Sequence, residues 1–223
     1  MRFKGYAYTV VGSRRTNQDA FLLADEKRLY AVADGVGGGL CGDVAARMAI
    51  DALKVHVREQ RELRACFLKA HEEIVREALE SFGEPLMGTT LTAILLEDHK
   101  VYLCHAGDSR LYHIKKGSLV QLSTDHEEYE KSFQANVLDS YLGMSSKNHP
   151  LQIQESEQAV EPGDAFLLCT DGLHRQVAHG RLTELITSHE LDPQTLVETL
   201  CLEAASSPYS DNVTVLYVQS ITD

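Results

Sequence analysis

The stretch Leu29-Tyr-Ala-Val-Ala-Asp34-Gly-Val-Gly-Gly38 joins an apolar run to an acidic, glycine-rich turn. A continuous apolar run of this length is typical of a strand that is buried on both faces. A carboxylate at the tip of such a strand is costly to desolvate unless a partner compensates its charge. The stretch therefore predicts a buried strand that ends at a polar site.

The same arrangement occurs twice further along the chain. Ala165-Phe-Leu-Leu-Cys-Thr-Asp171-Gly172 is a second apolar run that ends in an acidic turn, and Ser210-Asp211-Asn212 directly precedes the apolar run 213–218. One Asp-Gly pair is a common turn and indicates little. Three converging strand-end aspartates, however, would supply the oxygen ligands that Mg²⁺ and Mn²⁺ prefer. Two such ions can hold a phosphoryl group and activate water.

The 223 residues carry a formal net charge of −12. A nucleic acid or an anionic membrane needs a basic face, so this charge argues against either partner. Hydrophobic residues make up 43% and charged residues 24%, which is typical of a globular domain. The acidic surplus has two explanations that stay open here: a solubilising surface, or carboxylates gathered around cations.

The cysteines are odd in number, widely spaced and free of any C-x-x-C pair. This pattern favours buried thiols in a reducing compartment over a disulfide or zinc framework. The segment Met1–Tyr6 lacks the apolar core of a signal peptide, and no apolar run approaches membrane-spanning length. We therefore predict a cytoplasmic protein. The five cysteines are Cys41, Cys66, Cys104, Cys169 and Cys201.

Short β-like runs dominate the chain, and two pairs of helical patterns interrupt them. The polar turns Glu97–His99 and Lys115–Gly117 predict hairpins, and hence antiparallel sheet. These elements predict an α+β fold, with helices layered on antiparallel sheets in a single domain over residues 1–223. Strands are predicted at 6–11, 20–23, 28–33, 89–96, 100–106, 110–115, 165–170 and 213–218, and helices at 42–60, 61–82, 180–189 and 193–206.

The segment Ser123–Lys147 differs from the rest because it is polar and shows no clear period. We predict a partly helical excursion on the surface. Segments of this kind often contact a substrate, and a solvated loop without a specific role is the equal alternative.

Two further motifs adjoin predicted strands. Gly12-Ser-Arg14-Arg15-Thr-Asn17-Gln18-Asp19-Ala20 contains arginine, whose planar fork binds phosphate in a bidentate manner. A surface turn of solvated charges is the alternative. In His105-Ala-Gly107-Asp108-Ser109-Arg110, the simplest interpretation is a tight turn in which Asp108 pairs with Arg110.

Together these motifs resemble the metal-dependent protein Ser/Thr phosphatases of type 2C, the PPM family. The sequence contains R-x-x-N-x-D, A-D-G-x-G-G, G-T-T, G-D-S-R, T-D-G-L and S-D-N-V-T in this order between Arg14 and Val218. Each motif is weak alone, whereas six in register over essentially the whole chain are specific. The resemblance implies a small, stand-alone bacterial member with a four-layer α-β-β-α sandwich of two antiparallel sheets flanked by helix pairs.

The resemblance also implies roles for individual residues. Asp34 would bridge two Mn²⁺ or Mg²⁺ ions, and the carbonyl of Gly35 would bind one of them. Asp171 and Asp211 would hold the other ion, and Arg14 would bind the substrate phosphate.

Two further acids have implied roles around this centre. Asp19 would be a catalytic acid that orients metal-bound water without ligating a metal, and Asp108 resembles a ligand of a third, weakly held ion. The implied reaction is direct attack of metal-activated hydroxide on phosphoserine or phosphothreonine, with no phosphoenzyme. The catalytic residues implied are Arg14, Asp19 and Asp34.

The chain departs from the family pattern at two positions beside the predicted metals. Gln18 stands where many members have Glu, and an uncharged amide polarises water less. Val36 stands where some eukaryotic members have a His thought to protonate the leaving group. Because valine has no proton to donate, a metal-bound water would take that role.

Two more departures concern the third ion and the flap. Arg175 stands four residues after Asp171, where the family usually has an Asp that helps to hold the third ion. Since arginine cannot ligate a cation, we predict a weak or absent third site, with Arg175 neutralising Asp108; the alternative is an Arg175 that points to solvent. The flap, at about 125–142, is shorter than usual, which would leave the cleft more open.

We therefore predict a monomeric protein serine/threonine phosphatase that acts on phosphorylated proteins and counteracts a bacterial Ser/Thr kinase. One alternative is a catalytically weak, phosphoprotein-binding regulator on the same fold, which Gln18 and Arg175 motivate. Another is a general phosphoesterase for small molecules. His126 and His174 are nearest to the predicted cleft and are given no catalytic role.

Overall fold

Two five-stranded antiparallel sheets form the centre of the molecule in the computed structural model, which describes residues 1–36, 41–145, 150–188 and 190–221. The spatial order in the first sheet is β1 (Arg2–Val10), β12 (Val213–Ile221), β11 (Ala165–Cys169), β6 (Arg110–Lys115) and β7 (Ser118–Gln121). The second sheet has the order β10 (Gln154–Ala159), β5 (Lys100–Ala106), β4 (Leu91–Glu97), β3 (Leu29–Asp34) and β2 (Asp19–Ala24). A separate hairpin contains β8 (Glu127–Glu130) and β9 (Ala135–Leu138).

Helices cover the outer face of each sheet. On the second sheet lie α1 (Gly42–His56) and α2 (Arg61–Phe82), and on the first lie α3 (Asp171–His174), α4 (His179–Thr187) and α5 (Pro193–Ala205). A third layer of core, between the two sheets, includes Tyr30, Ile94, Phe166 and Leu216. The predicted α-β-β-α arrangement is therefore confirmed.

Strand β3 is buried on both faces, which explains its continuous apolar run. Leu29, Ala31 and Ala33 pack in the core beneath α1 and α2, whereas Tyr30 and Val32 face the other sheet. A strand covered on both sides can accommodate a charged residue only where it leaves the core. Asp34 lies at that point.

The boundary between the first two helices differs from the prediction. Helix α1 ends at His56 rather than at Gln60, because the chain becomes extended at Val57. The amides of Arg58 and Glu59 donate to the carboxylate of Glu62, at 2.6 and 3.1 Å. These hydrogen bonds satisfy backbone donors at the start of α2 and so separate the helices. Of the predicted helix 180–189, the last residue lies outside the described residues.

The edge strands β7 and β10 were not predicted. Strand β10 is polar and mostly exposed, and it pairs with β5 from Gln154 to Ala159. Charged residues on an edge strand discourage pairing with other molecules, but they also remove the apolar alternation by which strands are recognised.

The prediction of a partly helical excursion over 123–147 is wrong. The described part of this segment contains the hairpin β8–β9, in which Glu127 pairs with Leu138 and Glu130 with Ala135, and no helix. Residues 128–136 are exposed. Since neither face of the hairpin packs into a core, nothing requires a strand-like apolar period in its sequence.

The cysteines are free thiols, and all but Cys41 are buried. Among the described residues, there is no helix both long and apolar enough to cross a bilayer.

Candidate metal centre

An acidic cavity of about 80 Å³ opens where the strand ends meet. Its wall combines aspartates from well-separated parts of the chain: β3, the turn after β5, the start of α3 and the turn before β12. The lining residues are Asp34, Asp108, Asp171 and Asp211, with Arg14, Gln18, Gly35, Val36, Thr90, Leu138 and Asn212.

Asp19, the remaining predicted site residue, lies directly opposite Asp34 in the register of β2 and β3. Directly opposed residues in an antiparallel pair have Cβ atoms roughly 5 Å apart. The structure thus brings every predicted site residue to this cavity or to its immediate edge.

A larger groove, of about 830 Å³, runs along α2 between His71 and Met144. Its acidic residues, Glu72, Glu80 and Glu84, are exposed and so retain their hydration. The smaller cavity is the better candidate for a site because its carboxylates are brought together and partly dehydrated.

Two threonines of the G-T-T motif hold the backbone of Asp34. Its amide donates to Thr90 Oγ1 at 2.9 Å. Its carbonyl accepts from the amide of Thr90 at 2.8 Å and from Thr89 Oγ1 at 2.9 Å. These bonds continue the pairing of β3 with β4 past the end of the regular ladder, so the carboxylate stands on a rigid support.

Two other threonines hold one oxygen of Asp19. Thr170 Oγ1 donates to Asp19 Oδ2 at 2.9 Å, and Thr214 Oγ1 donates to the same oxygen at 2.7 Å. The two hydroxyls come from the ends of β11 and β12, across the sandwich from β2. Asp19 therefore ties the two sheets together at the edge of the cavity.

Glycines allow the loops around the cavity to approach closely. A Cβ atom on Gly35 would lie 2.4 Å from the carbonyl carbon of Gly42, and one on Gly172 would lie 2.0 Å from the carbonyl oxygen of Asn212. Glycine at 35 is therefore required by the contact with the start of α1, whether or not its own carbonyl binds a metal. Glycine at 172 lets the start of α3 pack beside the turn of Asp211.

Asn212 fixes the loop that carries Arg14. Its side-chain amide donates to the carbonyls of Val11 and Thr16, at 2.8 and 3.0 Å, and its Oδ1 accepts from the amide of Gln18 at 2.8 Å. At the rim of the cavity, Arg14 Nη2 donates to Asp211 Oδ2 at 2.5 Å. The predicted phosphate ligand is thus paired with a predicted metal ligand.

Arg175 makes the second arginine contact with the cavity. Its Nε donates to Asp171 Oδ2 at 2.8 Å, and its Nη2 donates to Asp108 Oδ2 at 2.8 Å. The interpretation that Asp108 pairs with Arg110 is wrong, because Arg110 instead binds Asp125 through three hydrogen bonds. The structure agrees with the prediction that Arg175 pairs with Asp108.

Burial and mutual repulsion disfavour ionisation of these acids. The pKa of Asp34 is raised well above its ordinary value by burial and by the charges of neighbouring aspartates, of which Asp19 acts most strongly. Burial raises the pKa of Asp19 to about 7, although the hydroxyls of Thr214 and Thr170 oppose the change. Burial also raises the pKa of Asp108 to about 7, against the opposing effect of Arg175. Such a cluster is stabilised in its ionised form by bound cations.

The donor set fits a hard divalent cation. Two buried carboxylate oxygens, Asp19 Oδ1 and Asp171 Oδ1, have no hydrogen-bond partner among the described residues. Carboxylate and carbonyl oxygens suit Mg²⁺ and Mn²⁺. Within the described part of the chain, no three acidic, histidine or cysteine side chains are already in a ligating arrangement. Arg14 and Arg175 each hold one oxygen of Asp211 and Asp171, and the other oxygen of Asp171 is the one without a partner among the described residues.

The threonines at the cavity were not predicted from the sequence, and His126 and His174 were predicted to have no catalytic role. Thr170 is adjacent to Asp171 and Thr214 closely follows Asp211, so their positions beside acidic motifs were the available signal. His174 Nε2 donates to the carbonyl of Asp108 at 3.0 Å, and His126 Nδ1 accepts from the amide of Gly107 at 3.2 Å. Both histidines therefore hold the turn that carries Asp108.

Known proteins with similar sequences and structures support this interpretation of the sandwich and its acidic cavity. The family model described as protein phosphatase 2C matches residues 10–201. Protein phosphatase PhpP of Streptococcus pneumoniae is 28% identical over an alignment of 236 positions that covers 94% of each chain. This chain belongs to the protein phosphatase 2C family.

Two solved structures have the same fold over nearly their whole length. The structure described as PppA, a key regulatory component of T6SS in Pseudomonas aeruginosa, is 31% identical, with a TM-score of 0.88 and 99% of each chain covered. The catalytic domain of the protein phosphatase PstP, in complex with two manganese ions, is 26% identical, with a TM-score of 0.85 and 99% of each chain covered. The prediction of a protein Ser/Thr phosphatase is confirmed at the level of the family.

Proposed function

We propose that this chain hydrolyses phosphoserine and phosphothreonine in proteins, at the acidic cavity, with two Mn²⁺ or Mg²⁺ ions. The observation that carries the proposal is the convergence of Asp34, Asp171 and Asp211 from separate strand ends on one small cavity. PstP, with its two manganese ions, supports the choice of metal and the number of ions.

The proposed ligands follow from the position of each acid. Asp34 would hold the two ions from its threonine-held backbone, and the carbonyl of Gly35 would bind one of them. Asp171 and Asp211 would bind the other ion from the opposite sheet. When bound, such a pair lowers the pKa of coordinated water and neutralises charge on the phosphoryl group.

Arg14 binds the substrate phosphate in this proposal. Its side chain is 55% exposed at the rim of the cavity, so a phosphate can reach its guanidinium. The fork of arginine matches two phosphate oxygens. Arg14 gives up its contact with Asp211 on binding phosphate, which frees Oδ2 of that carboxylate for a cation, while Oδ1 accepts from the amide of Asn212 at 2.8 Å.

Asp19 orients the attacking water. Two threonine hydroxyls occupy its Oδ2, which holds the carboxylate in one orientation with Oδ1 unpaired among the described residues. That oxygen can accept a hydrogen bond from water, and bound cations would keep the Asp19 carboxylate in the ionised form that accepts it. Val36, which also lines the cavity, cannot protonate the leaving group.

The whole chain, residues 1–223, acts as a single catalytic domain in this proposal, with the segment of about 125–142 as a short flap. Its substrates are phosphorylated proteins, including those of a Ser/Thr kinase whose action it reverses. The proposal also includes a monomeric state and a cytoplasmic location, for which the acidic surface and the free cysteines are the support.

The test is a phosphatase assay with phosphoserine and phosphothreonine peptides, sugar phosphates and para-nitrophenyl phosphate, over a series of Mn²⁺ concentrations. We expect turnover of the peptides that disappears with EDTA and in Asp34→Asn. Comparable rates on sugar phosphates would instead indicate a general phosphoesterase. Asp51→Asn is the matched control, because Asp51 is exposed on α1, outside the cavity lining.

One observation favours a second candidate, a phosphoprotein-binding regulator with little activity. Arg175 holds both Asp171 and Asp108, and so competes with a cation for carboxylate oxygens. Binding of phosphopeptides without turnover at any Mn²⁺ concentration would support this candidate. In cells, phosphorylation sites that accumulate in an Asp34→Asn strain would identify the substrates, and an unchanged set of sites would contradict the enzymatic proposal.

A further inference from the structure

Arg175 connects three carboxylates that belong to three different parts of the molecule. Besides its bonds to Asp171 and Asp108, its Nη2 donates to Glu127 Oε1 in the hairpin β8–β9. The acidic partners are more enclosed than the arginine: the side chains of Asp108 and Glu127 are 5% and 11% exposed, and that of Arg175 is 44% exposed. The guanidinium therefore covers a pair of nearly buried acids from the solvent side.

The position of Arg175 is fixed by its backbone. It is the residue that follows α3, and its amide donates to the carbonyl of Asp171 at 3.0 Å. The guanidinium thus lies one helical turn from Asp171, next to the turn of Asp108. An arginine offers a permanent positive charge and five donors in a planar fork, so one side chain can serve several carboxylates at once.

The strands of the hairpin β8–β9 make few contacts outside the hairpin, although the residues just before it are held by the bonds of Arg110 to Asp125 and of Gly107 to His126. It belongs to neither large sheet, and residues 128–136 are exposed. At its base, the amide of His126 donates to the carbonyl of Gly107 at 2.8 Å, and the amide of Asp139 donates to the carbonyl of His126 at 3.0 Å. A two-stranded hairpin without a packed face is only marginally stable by itself.

The ion pair between Arg175 and Glu127 also affects the wall of the cavity, because strand β8 pairs with a strand that contributes to that wall. Glu127 lies directly opposite Leu138 in the hairpin, and Leu138 lines the acidic cavity. A contact that fixes Glu127 therefore also fixes the apolar side chain at the edge of the proposed substrate site. Without that contact, this wall of the cavity would move with the exposed hairpin.

We propose that Arg175 is a built-in cation that replaces a metal ion at Asp108 and pins the root of the β8–β9 hairpin beside the cavity. Arg175 is then a positioning residue for the flap, and the chain holds two divalent ions rather than three. A divalent cation could reach Asp108 only by displacing a guanidinium that repels it. The metal count rests on the proposed function, whereas the pinning of the hairpin does not.

Hydrogen–deuterium exchange of the full chain in EDTA tests the pinning. In Arg175→Gln we expect the hydrogen-bonded amides of the hairpin to exchange about five-fold faster than in the wild type. This factor corresponds to the free energy lost with a partly exposed ion pair. Amides of β4 should keep their protection, which shows that the variant is folded. Arg181→Gln is the matched control, because Arg181 also bridges two carboxylates, Glu184 and Glu203, far from the hairpin.

Two more variants separate charge from geometry. Glu127→Gln removes the charge on the hairpin side of the contact, while its amide oxygen can still accept from Asn136 Nδ2 across the hairpin, and should accelerate hairpin exchange as Arg175→Gln does. Arg175→Lys keeps the charge but cannot bridge three carboxylates, and should give an intermediate rate. Unchanged hairpin exchange in folded Arg175→Gln and Glu127→Gln would overturn the pinning.

Calorimetric titration with Mn²⁺ tests the metal count. We expect the wild type to bind two ions, and Arg175→Asp, which replaces the guanidinium by a carboxylate, to bind a third, weaker ion. Three ions in the wild type, or only two in Arg175→Asp, would overturn the replacement of a metal by Arg175. Binding of no Mn²⁺ would contradict the proposed function and this half of the inference together, while the exchange rates would still decide the pinning.

Discussion

The strand-end aspartates and the β8–β9 hairpin are neighbours at one cavity, yet they are held by different forces. Asp34 continues a strand whose five preceding residues are buried, and threonine hydroxyls and amides hold its backbone. The hairpin is exposed over residues 128–136, and a charged contact from Arg175 to Glu127 holds its root.

This difference indicates which properties of the site respond to which conditions. Apolar burial and buried hydrogen bonds depend little on salt, whereas partly exposed ion pairs are screened. The aspartates should therefore keep their arrangement when the flap moves. Chemistry and substrate access can thus be altered by separate substitutions, and the predictions below compare the two regions.

The largest expected effect is the loss of activity in Asp34→Asn. Removing a bridging carboxylate weakens the binding of both proposed ions. Because a metal centre supplies several kcal/mol of transition-state stabilisation, kcat/KM should fall about a thousandfold or more. The measurement is steady-state dephosphorylation of a phosphothreonine peptide in saturating Mn²⁺. Near wild-type activity in Asp34→Asn, with Asp51→Asn as the control, would show that the cavity is not the active site.

The next largest effect concerns stability. Ile94 is fully buried between the sheets, so Ile94→Ala should lower the free energy of unfolding by about 3 kcal/mol, through lost transfer energy and a residual cavity. In the hairpin, Tyr129 is 60% exposed, and Tyr129→Ala should change this free energy by less than about 0.5 kcal/mol. Urea denaturation measures both values. Equal losses would mean that the hairpin is as tightly packed as the core.

At the rim, Arg14→Ala should lower kcat/KM by about 10- to 100-fold. This range corresponds to the loss of about 1.5–3 kcal/mol from hydrogen bonds to a charged group. Arg15→Ala is the control, since Arg15 is the exposed neighbour and does not line the cavity. The measurement is kcat and KM on a phosphopeptide. A loss of equal size in both variants would point to general electrostatic attraction in place of a specific phosphate contact.

The smallest expected effect is on the pH dependence of stability. The pKa of Asp19 is raised from 3.8 to about 7, chiefly by burial. Between these values the unfolded chain is ionised while the folded one still holds the proton, so this group makes the fold less stable as pH rises from about 4 to about 7. In EDTA, Asp19→Asn should therefore lose less stability than the wild type over this interval.

Thermal unfolding at pH 5.5 and 7.5 measures this effect. Asp34 and Asp108 change stability in the same direction, because their pKa values are also raised, so the variant should retain part of the dependence. Saturating Mn²⁺ should reverse the trend, since ligation requires ionised carboxylates. An Asp19→Asn profile parallel to that of the wild type in EDTA would contradict the assignment to Asp19.

Much of the fold could be predicted because burial imposes a period on the sequence. Strands β5 and β6 match their predicted ranges at both ends, and α2 matches as well. The edge strands β7 and β10 and the hairpin β8–β9 were missed for a common reason. Each of these elements places at most one residue in the core, Leu119 of β7, so none shows the apolar alternation by which strands are recognised.

The candidate site likewise has features that the sequence predicts and features that it does not. The aspartates could be predicted because each adjoins a buried run, and the structure brings them to one cavity. The pair of Arg14 with Asp211 joins residues almost two hundred positions apart, and no local pattern indicates it. The contact of Arg175 with Glu127 was likewise unpredictable, because it depends on the position of a polar hairpin relative to the two sheets.

The sequence by itself determined the family, the two-sheet sandwich and the acids that end its strands, because local apolar patterns and spaced motifs encode them directly. Only the tertiary structure decided that Arg14 meets Asp211, that Arg175 meets Glu127, and which threonines orient Asp19. Electrostatic and hydrogen-bonded contacts depend on distances in space, and these distances are set when the two sheets pack together.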